Sequence, residues 1–237
     1  TPLYSSAASD VYKRQARGLA VLVLALWLLP AQASHGVYEG TLGKQAIVLT
    51  LGSQNAVYQG TYAYQRYRTP IRLKPTFSYS NKTLAMDELD EQGLPVARLQ
   101  FNDLLNSRQQ EQVRGTWTSY RTGKSLPIAL KLVGLVDSDR SWPQPVTTLL
   151  QSASTKRWYF QVPMPGNDQR ITTVEVMDKA NGKLLQSLAV AAPGCRNLGV
   201  DTLQVQAEGE QLRIGFQDCT LPGFAWNTGS GRFEPLP

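Results

Sequence analysis

A single histidine limits the catalytic arrangements that this chain can build. His35 is the only histidine in 237 residues, so a Ser-His-Asp or Cys-His arrangement elsewhere has no imidazole base. His35 also lies near the expected start of the exported chain, where a loosely held backbone would position a catalyst poorly. We therefore expect a protein that is not an enzyme.

Four carboxylates lie close together, on Asp87, Glu88, Asp90 and Glu91. A pair of carboxylates is the chemistry that glycoside hydrolysis requires. Their position, on a strand end running into a turn at Gly93, is more typical of a solvated hairpin tip. They also lack the alternating ligands of a calcium loop. We predict no catalytic pair, no metal and no cofactor.

Three tyrosines fall at alternating positions of one strand-like run. Tyr58, Tyr62 and Tyr64 would share one side of a β-strand, because side chains alternate between its two faces. Such a row is most often part of a barrel's core or girdle. The alternative is a stacking surface for sugar rings or an apolar ligand, since tyrosine combines a flat face with a polar tip.

The chain has two cysteines, Cys195 and Cys219. They do not form a C-x-x-C motif, and there is no second pair to complete a zinc site. In an oxidising compartment, two such residues are expected to form one disulfide.

A short phrase centred on glycine recurs in the first half of the chain. It reads Val-Tyr-Glu-Gly-Thr at 37–41, Val-Tyr-Gln-Gly-Thr at 57–61 and Val-Arg-Gly-Thr at 113–116. Glycine inside a strand marks a bulge, or a bend where a sheet curls. About eight β-rich runs separated by turn signals precede a polar, Pro-containing stretch at 137–145. The pattern predicts an antiparallel meander or a small barrel.

The second half is also rich in β-forming residues. Asn181-Gly182 between apolar runs predicts a hairpin, because both residues suit the positive-φ positions of a tight turn. Residues 146–151 are predicted as a short helix. The expected fold is all-β, with the meander or barrel followed by a second, smaller antiparallel β domain. The expected divisions are a leader and signal peptide at 1–33, a barrel-like module at 34–136, a linker at 137–148 and a C-terminal β module at 149–237.

The start of the chain has the layout of a secretory signal peptide. Basic residues at 13–17 precede an apolar run of 11 residues at 19–29, followed by a small-x-small cleavage site at 31–33. A stable membrane anchor would need about 20 apolar residues. We expect a periplasmic or secreted protein that begins at Ser34. Residues 1–15 look like translated adapter sequence rather than native protein.

The net charge does not indicate a nucleic-acid-binding protein. The formal charge of +6 is modest and spread along the chain, without a run of lysines and arginines. We therefore expect no nucleic acid partner, and the sequence leaves the oligomeric state undetermined.

Two segments of the second half resemble a known group of proteins. Residues 171–188 contain a strand, Asp-x-x-x-Gly-Lys and Leu-x-Gln, and residues 224–233 close with aromatic residues, glycine and a basic residue. Both are similar to periplasmic proteins related to invertebrate-type lysozyme inhibitors, which include immunity proteins against lysozyme-like effectors. The opening at 38–49 resembles an uncharacterised envelope barrel module. Calcium-binding members carry Asp-x-Asn-x-Asp-Gly, but residues 206–211 here lack most of those ligands.

The resemblance implies how a partner would be bound. Related inhibitors insert a loop into the hydrolase cleft, and the best match here is Ser230-Gly231-Arg232, with Trp226 and Phe233 supporting the loop. An arginine fork suits a pair of catalytic carboxylates. The tip at 120–124 is the alternative loop. The expected function is non-catalytic binding, with inhibition of a lysozyme-like peptidoglycan hydrolase as the specific form. The alternative is an envelope barrel that binds a small ligand or glycan through the tyrosine row.

Overall fold

A computed structural model describes residues 33–54, 57–76, 83–102, 112–137, 148–163, 170–190, 195–196, 198–200 and 202–236. Within these ranges the regular structure consists of antiparallel β-strands without a helix, so the predicted all-β class is confirmed. Ala33, Asp137 and Thr148 lie in strands. The rest of the predicted leader, signal peptide and linker lies outside the described residues.

The first eight strands form a closed antiparallel barrel. They pair in sequence order, and β8 returns to pair with β1, so none of the eight is left as an edge. Of the two predicted arrangements, meander or small barrel, the structure is therefore the barrel. The strands are β1 Ala33–Leu42, β2 Gln45–Gln54, β3 Val57–Tyr64, β4 Ile71–Pro75, β5 Thr83–Leu89, β6 Pro95–Asn102, β7 Gln112–Ser119 and β8 Ser125–Asp137.

Glycines of the repeated phrase lie where neighbouring barrel strands approach closely. A Cβ on Gly40 would overlap the backbone of Ala129, and a Cβ on Gly115 would overlap the carbonyl of Gln100. Glycine is needed at both positions because a side chain would push the paired strands apart. Two copies of the repeated motif thus mark positions where paired strands of the barrel approach each other most closely.

Large side chains fill the barrel interior. On β6, Ala97, Leu99 and Phe101 are buried, whereas the residues between them are exposed, as a strand with one inward face requires. The barrel centre is therefore a packed core rather than an open cavity. Its largest fully buried side chains are Tyr62, Phe101, Leu42, Ile47, Leu49, Met86, Leu99 and Ile128.

Glycines with positive φ end the predicted hairpin turns. Gly93, Gly123 and Gly182 have φ values of 82°, 69° and 71°, a region that side chains other than glycine rarely adopt. The hairpin at Asn181-Gly182 is confirmed, but its loop is longer than a two-residue turn. The Gly182 N–H donates to the Asp178 carbonyl at 2.7 Å, and among the residues of this loop only Gly182 has positive φ.

Two smaller antiparallel sheets make up the second half. One has the strand order β12-β11-β10-β9, and the other has the order β13-β14-β16-β17, with β15 pairing to β14. The predicted second, smaller antiparallel part is confirmed. The strands are β9 Thr148–Ser154, β10 Trp158–Pro163, β11 Thr173–Asp178, β12 Leu184–Ala189, β13 Leu203–Glu208, β14 Gln211–Phe216, β15 Cys219–Thr220, β16 Phe224–Asn227 and β17 Arg232–Pro235.

The short helix expected at 146–151 is wrong, since residues 148–151 belong to strand β9. Leu149 packs into the core of the second half, and the Leu150 N–H donates to Thr50 Oγ1 on the barrel at 3.1 Å. The consecutive residues Leu149 and Leu150 are both buried, so the strand is covered on both faces at this point. Where both faces of a strand are buried, apolar and polar residues do not alternate, so the usual sequence signal of a strand is missing.

The barrel and the second half pack together as one compact unit, Gln32–Pro237. Val37 on the outer wall of the barrel belongs to the same buried cluster as Phe160, Val176 and Phe233 of the second half. Strand pairing changes between β8 and β9, but the apolar core continues across that change.

Two cross-links hold the second half together. The predicted disulfide between Cys195 and Cys219 is confirmed, with a Cα–Cα distance of 5.5 Å. The side-chain amide of Gln186 on β12 joins the two sheets. It donates to the Phe233 carbonyl at 2.9 Å and accepts from the Phe233 N–H at 2.8 Å. This amide takes the place of a neighbouring strand at the seam between β12 and β17.

Candidate functional site

The predicted partner-binding residues lie on the last hairpin, formed by β16 and β17. Asn227 pairs with Arg232 where the two strands separate, and the tip is residues 228–231. Asn227 Oδ1 accepts from the backbone N–H groups of Gly229 at 2.8 Å and Ser230 at 3.2 Å. Because the asparagine side chain replaces the missing strand partners, the tip has a defined conformation.

A carboxylate fixes the other side of the tip. Ser230 Oγ donates to Glu234 Oε1 and Asn227 Nδ2 donates to Glu234 Oε2, both at 2.7 Å. The Ser230 bond, followed by the Asn227 bond, lowers the pKa of Glu234 below its usual value, because both stabilise the ionised form. The Ser230 hydroxyl, predicted to face a partner, is thus engaged within the loop.

Arg232 carries a positive charge at the base of the tip. Its side chain is exposed, and it makes no ion pair with any residue that the structure describes. Its guanidinium can donate in a planar fork, which suits a carboxylate. Of the residues predicted to meet a partner, Arg232 has the group most available for one.

Aromatic packing anchors the hairpin on the neighbouring sheet. The Trp226 ring lies 4.2 Å from the Trp158 ring between centroids, and Phe233 is buried beneath both. The Arg157 guanidinium lies 4.8 Å from the Trp158 ring centroid and 5.5 Å from that of Trp226. Trp226 is half-buried in this stack. It therefore supports the tip from below.

The tyrosine row lies on the inner wall of the barrel. Tyr58, Tyr62 and Tyr64 share one side of β3 and pack against the barrel core. Tyr62 has no exposed surface, and its ring meets Tyr64 edge-on at 5.6 Å. Burial, followed by the nearby charge of Glu88, raises the pKa of Tyr62. At Tyr62, the aromatic face is core rather than a surface for a ligand.

A half-buried glutamate at one end of the barrel interior is the feature that sequence reasoning missed. Glu88 Oε2 accepts from Tyr62 Oη and from Trp117 Nε1, each at 2.7 Å. A signal for it exists in the sequence, because Glu88 shares the inward parity of Leu84 and Met86 on β5. The bonds connect β3, β5 and β7 across the barrel.

Asp87 and Asp90 have different neighbours from those of Glu88. Asp87 forms an ion pair with Arg98 at 3.3 Å and accepts from the Tyr120 hydroxyl. Asp90 accepts from the Leu94 N–H at 2.8 Å within the turn. Asp87 and Glu88 are thus on opposite faces of β5, which does not place two carboxylates on either side of a substrate.

His35 is better ordered than the sequence suggested. It lies in β1 and pairs with Gly52 and Val136, so the expectation of a loosely held position is wrong. In the described part of the chain, no three histidine, cysteine, aspartate or glutamate residues are grouped as metal ligands would be. Within the same ranges, no helix is long and apolar enough to cross a bilayer.

Comparisons with known proteins give no assignment. No protein-family model matches the chain. A search of curated proteins found no significant match.

Proposed function

We propose that this chain is an exported protein of the periplasm or the medium that binds a partner protein and has no catalysis of its own. The observation that carries the proposal is the last hairpin, where Asn227 and Glu234 hold residues 228–231 in one conformation. Such a tip loses little conformational entropy on binding, because its shape is fixed beforehand.

The partner class follows from charge and from the resemblance to lysozyme inhibitors. Arg232 presents an exposed guanidinium, without an ion pair to any described residue, beside a tip that contains Gly229 and Gly231. A lysozyme-like peptidoglycan hydrolase carries catalytic carboxylates in a groove, and a guanidinium fork can meet them in a bidentate pair. We assign inhibition of such a hydrolase as the specific function.

The alternative, a ligand bound by Tyr58, Tyr62 and Tyr64, has less support. Tyr62 is fully buried and its hydroxyl donates to Glu88. A sugar or apolar ligand at that row would have to displace packed core side chains.

The test is a set of lysis assays with several lysozyme types in the presence of the purified protein. We expect slowed lysis by at least one type. Truncating Arg232→Ala should weaken inhibition about 30-fold, which corresponds to about 2 kcal/mol for leaving buried carboxylates unpaired. Arg121→Ala is the matched control, because Arg121 is an exposed arginine on a different hairpin tip, at 120–124.

The two variants separate the outcomes. Loss of inhibition with Arg121→Ala and not with Arg232→Ala would transfer the site to the 120–124 tip and reject the last hairpin. If both variants inhibit as strongly as the unmodified protein, neither arginine is a contact residue. An absence of slowed lysis with every type would reject the hydrolase as the partner class.

A further inference from the structure

A cleft of about 1190 Å³ lies between the barrel and the sheets of the second half. Its walls include residues 69–72 and 88–91 of the barrel, residues 152–158 around the β9–β10 turn, and residues 205–207 on β13. Pockets for single small molecules usually enclose about 300–1,000 Å³. The size therefore suits an extended ligand.

The charges of the cleft are separated by wall. The barrel contributes three carboxylates, and the β9–β12 sheet contributes three cations. The barrel wall also carries one cation, Arg72. A further carboxylate, Glu210, lies on the wall that contains β13. The acidic residues of the barrel wall are Glu88, Asp90 and Glu91, and the basic residues facing them are Lys156, Arg157 and Lys179.

Glu91 is the carboxylate most available on the barrel wall. Glu88 is engaged by Tyr62 and Trp117, and Asp90 accepts from the Leu94 N–H. Glu91 is exposed and makes no hydrogen bond with any residue in the described ranges. It can therefore receive an ammonium group without breaking an existing contact.

Lys179 is a half-buried cation on the opposite wall. Its Nζ donates to the Thr155 carbonyl at 2.6 Å and to Ser154 Oγ at 3.2 Å, and both acceptors are neutral. Burial lowers the pKa of Lys179, and the charge of Glu91 acts against that shift. No carboxylate of a described residue lies within ion-pair distance of Nζ. An ammonium has three donors, so an anion can complete its coordination.

Arg157 adds a second cation beside Lys179. The Lys179 N–H donates to the Arg157 carbonyl at 2.9 Å, so the two residues are neighbours on adjacent strand ends. The guanidinium of Arg157 stacks on Trp158 and Trp226 but makes no hydrogen bond with a described residue. Stacking uses the face of the group and leaves its N–H donors at the edge.

We propose that this cleft binds a zwitterionic ligand, namely a short peptide with free ends. Its ammonium would lie toward Glu91 and its carboxylate toward Lys179 and Arg157, with its side chains against the apolar lining at Ile71 and Val96. The inference does not require the hydrolase partner, and its test changes no residue of the hairpin tip.

Calorimetric titration of the full purified chain with trialanine, a short peptide with free ends, tests the proposal. N-acetylated trialanine lacks the ammonium, and C-amidated trialanine lacks the carboxylate. We expect each blocked peptide to bind about tenfold more weakly, because each loses one charged hydrogen-bonded contact. Equal affinities for the free and blocked peptides, or no binding of trialanine at millimolar concentration, would overturn the proposal.

Variants locate the binding. Glu91→Gln should remove the preference for the free ammonium, and Lys179→Met should reduce the preference for the free carboxylate, since Arg157 remains. Glu39→Gln and Lys183→Met are the matched controls, because both residues are exposed and lie outside the cleft. Glu91→Gln leaves all described hydrogen bonds in place, so it reports on binding even if Lys179→Met disturbs the β9–β10 turn. Unchanged preferences in Glu91→Gln would contradict the assigned orientation.

Discussion

The amide of Gln186 is expected to contribute more to stability than a half-buried glutamine normally does. It joins β12 to β17, the adjacent edges of the two sheets in the second half, through two hydrogen bonds to the backbone of Phe233. Phe233 belongs to the buried core and packs against Trp158 and Phe160. A change at Gln186 therefore acts on the seam that closes this core.

The size of the effect follows from the partners left behind. Gln186→Ala removes both bonds, so the N–H and the carbonyl of Phe233 lose their acceptor and donor. An unsatisfied buried polar group costs about 1–3 kcal/mol. With water reaching the half-buried seam, we expect the free energy of unfolding to fall by about 2–4 kcal/mol. For a chain of this size, that lowers Tm by roughly 5–15 °C.

Urea unfolding monitored by tryptophan fluorescence measures this change. Gln204→Ala is the matched control, because Gln204 is an exposed glutamine on β13 that makes no described side-chain hydrogen bond. Surface changes of that kind alter stability by about 0.5 kcal/mol or less. A loss for Gln186→Ala no larger than that of the control would refute the role of the amide.

A second substitution separates the two bonds. Gln186→Glu retains an acceptor for the Phe233 N–H, but it can donate to the Phe233 carbonyl only when protonated. Its stability deficit should therefore grow as the pH rises through the range where carboxylates ionise. A deficit that does not depend on pH would show that the donated bond contributes nothing.

Two further predictions concern the barrel and the hairpin tip. Gly115→Ala should destabilise the chain by about 1–3 kcal/mol in urea unfolding, because its Cβ overlaps the Gln100 carbonyl. Gly60→Ala is its control, since the three atoms nearest to its Cβ belong to leucine side chains at 3.2–3.3 Å rather than to the backbone, and equal losses would contradict the reasoning. Ser230→Ala should raise the pKa of Glu234 toward its ordinary value, followed by NMR titration, because the hydroxyl stabilises the carboxylate. In the unmodified chain the bond between Ser230 and Glu234 holds the tip at neutral pH, and it weakens as the pH falls through the lowered pKa of Glu234. If Glu234 titrates at the same pH in the variant, the assigned bond is contradicted.

Local sequence signals predicted much of the fold. Alternation along the tyrosine row predicted that Tyr58, Tyr62 and Tyr64 share one face of a strand, and the glycines at 93, 123 and 182 predicted hairpin turns. These signals work because side-chain direction and positive φ are properties of a few neighbouring residues. The disulfide followed equally simply, since two cysteines allow one pairing.

Signals of the candidate site were less complete. The sequence predicted the last hairpin and proposed Ser230 and Arg232 as contacts for a partner, but it did not predict that the Ser230 hydroxyl donates to Glu234 four residues away. It also grouped Glu88 with Asp87, although β5 places them on opposite faces. Whether a polar side chain faces a partner or its own chain depends on groups that fold back onto it.

By itself, the sequence determined the all-β class, the positions of most strands and turns, and the single disulfide, because each depends on local backbone geometry or on residue count. Tertiary structure alone decided that residues 148–151 form a strand docked on the barrel, that Tyr62 and Trp117 hold Glu88 at one end of the barrel interior, and that Gln186 joins β12 to β17. These contacts join residues from 26 to 100 positions apart in sequence. No local period encodes such pairs, since they form only when barrel closure and sheet packing bring distant strands together.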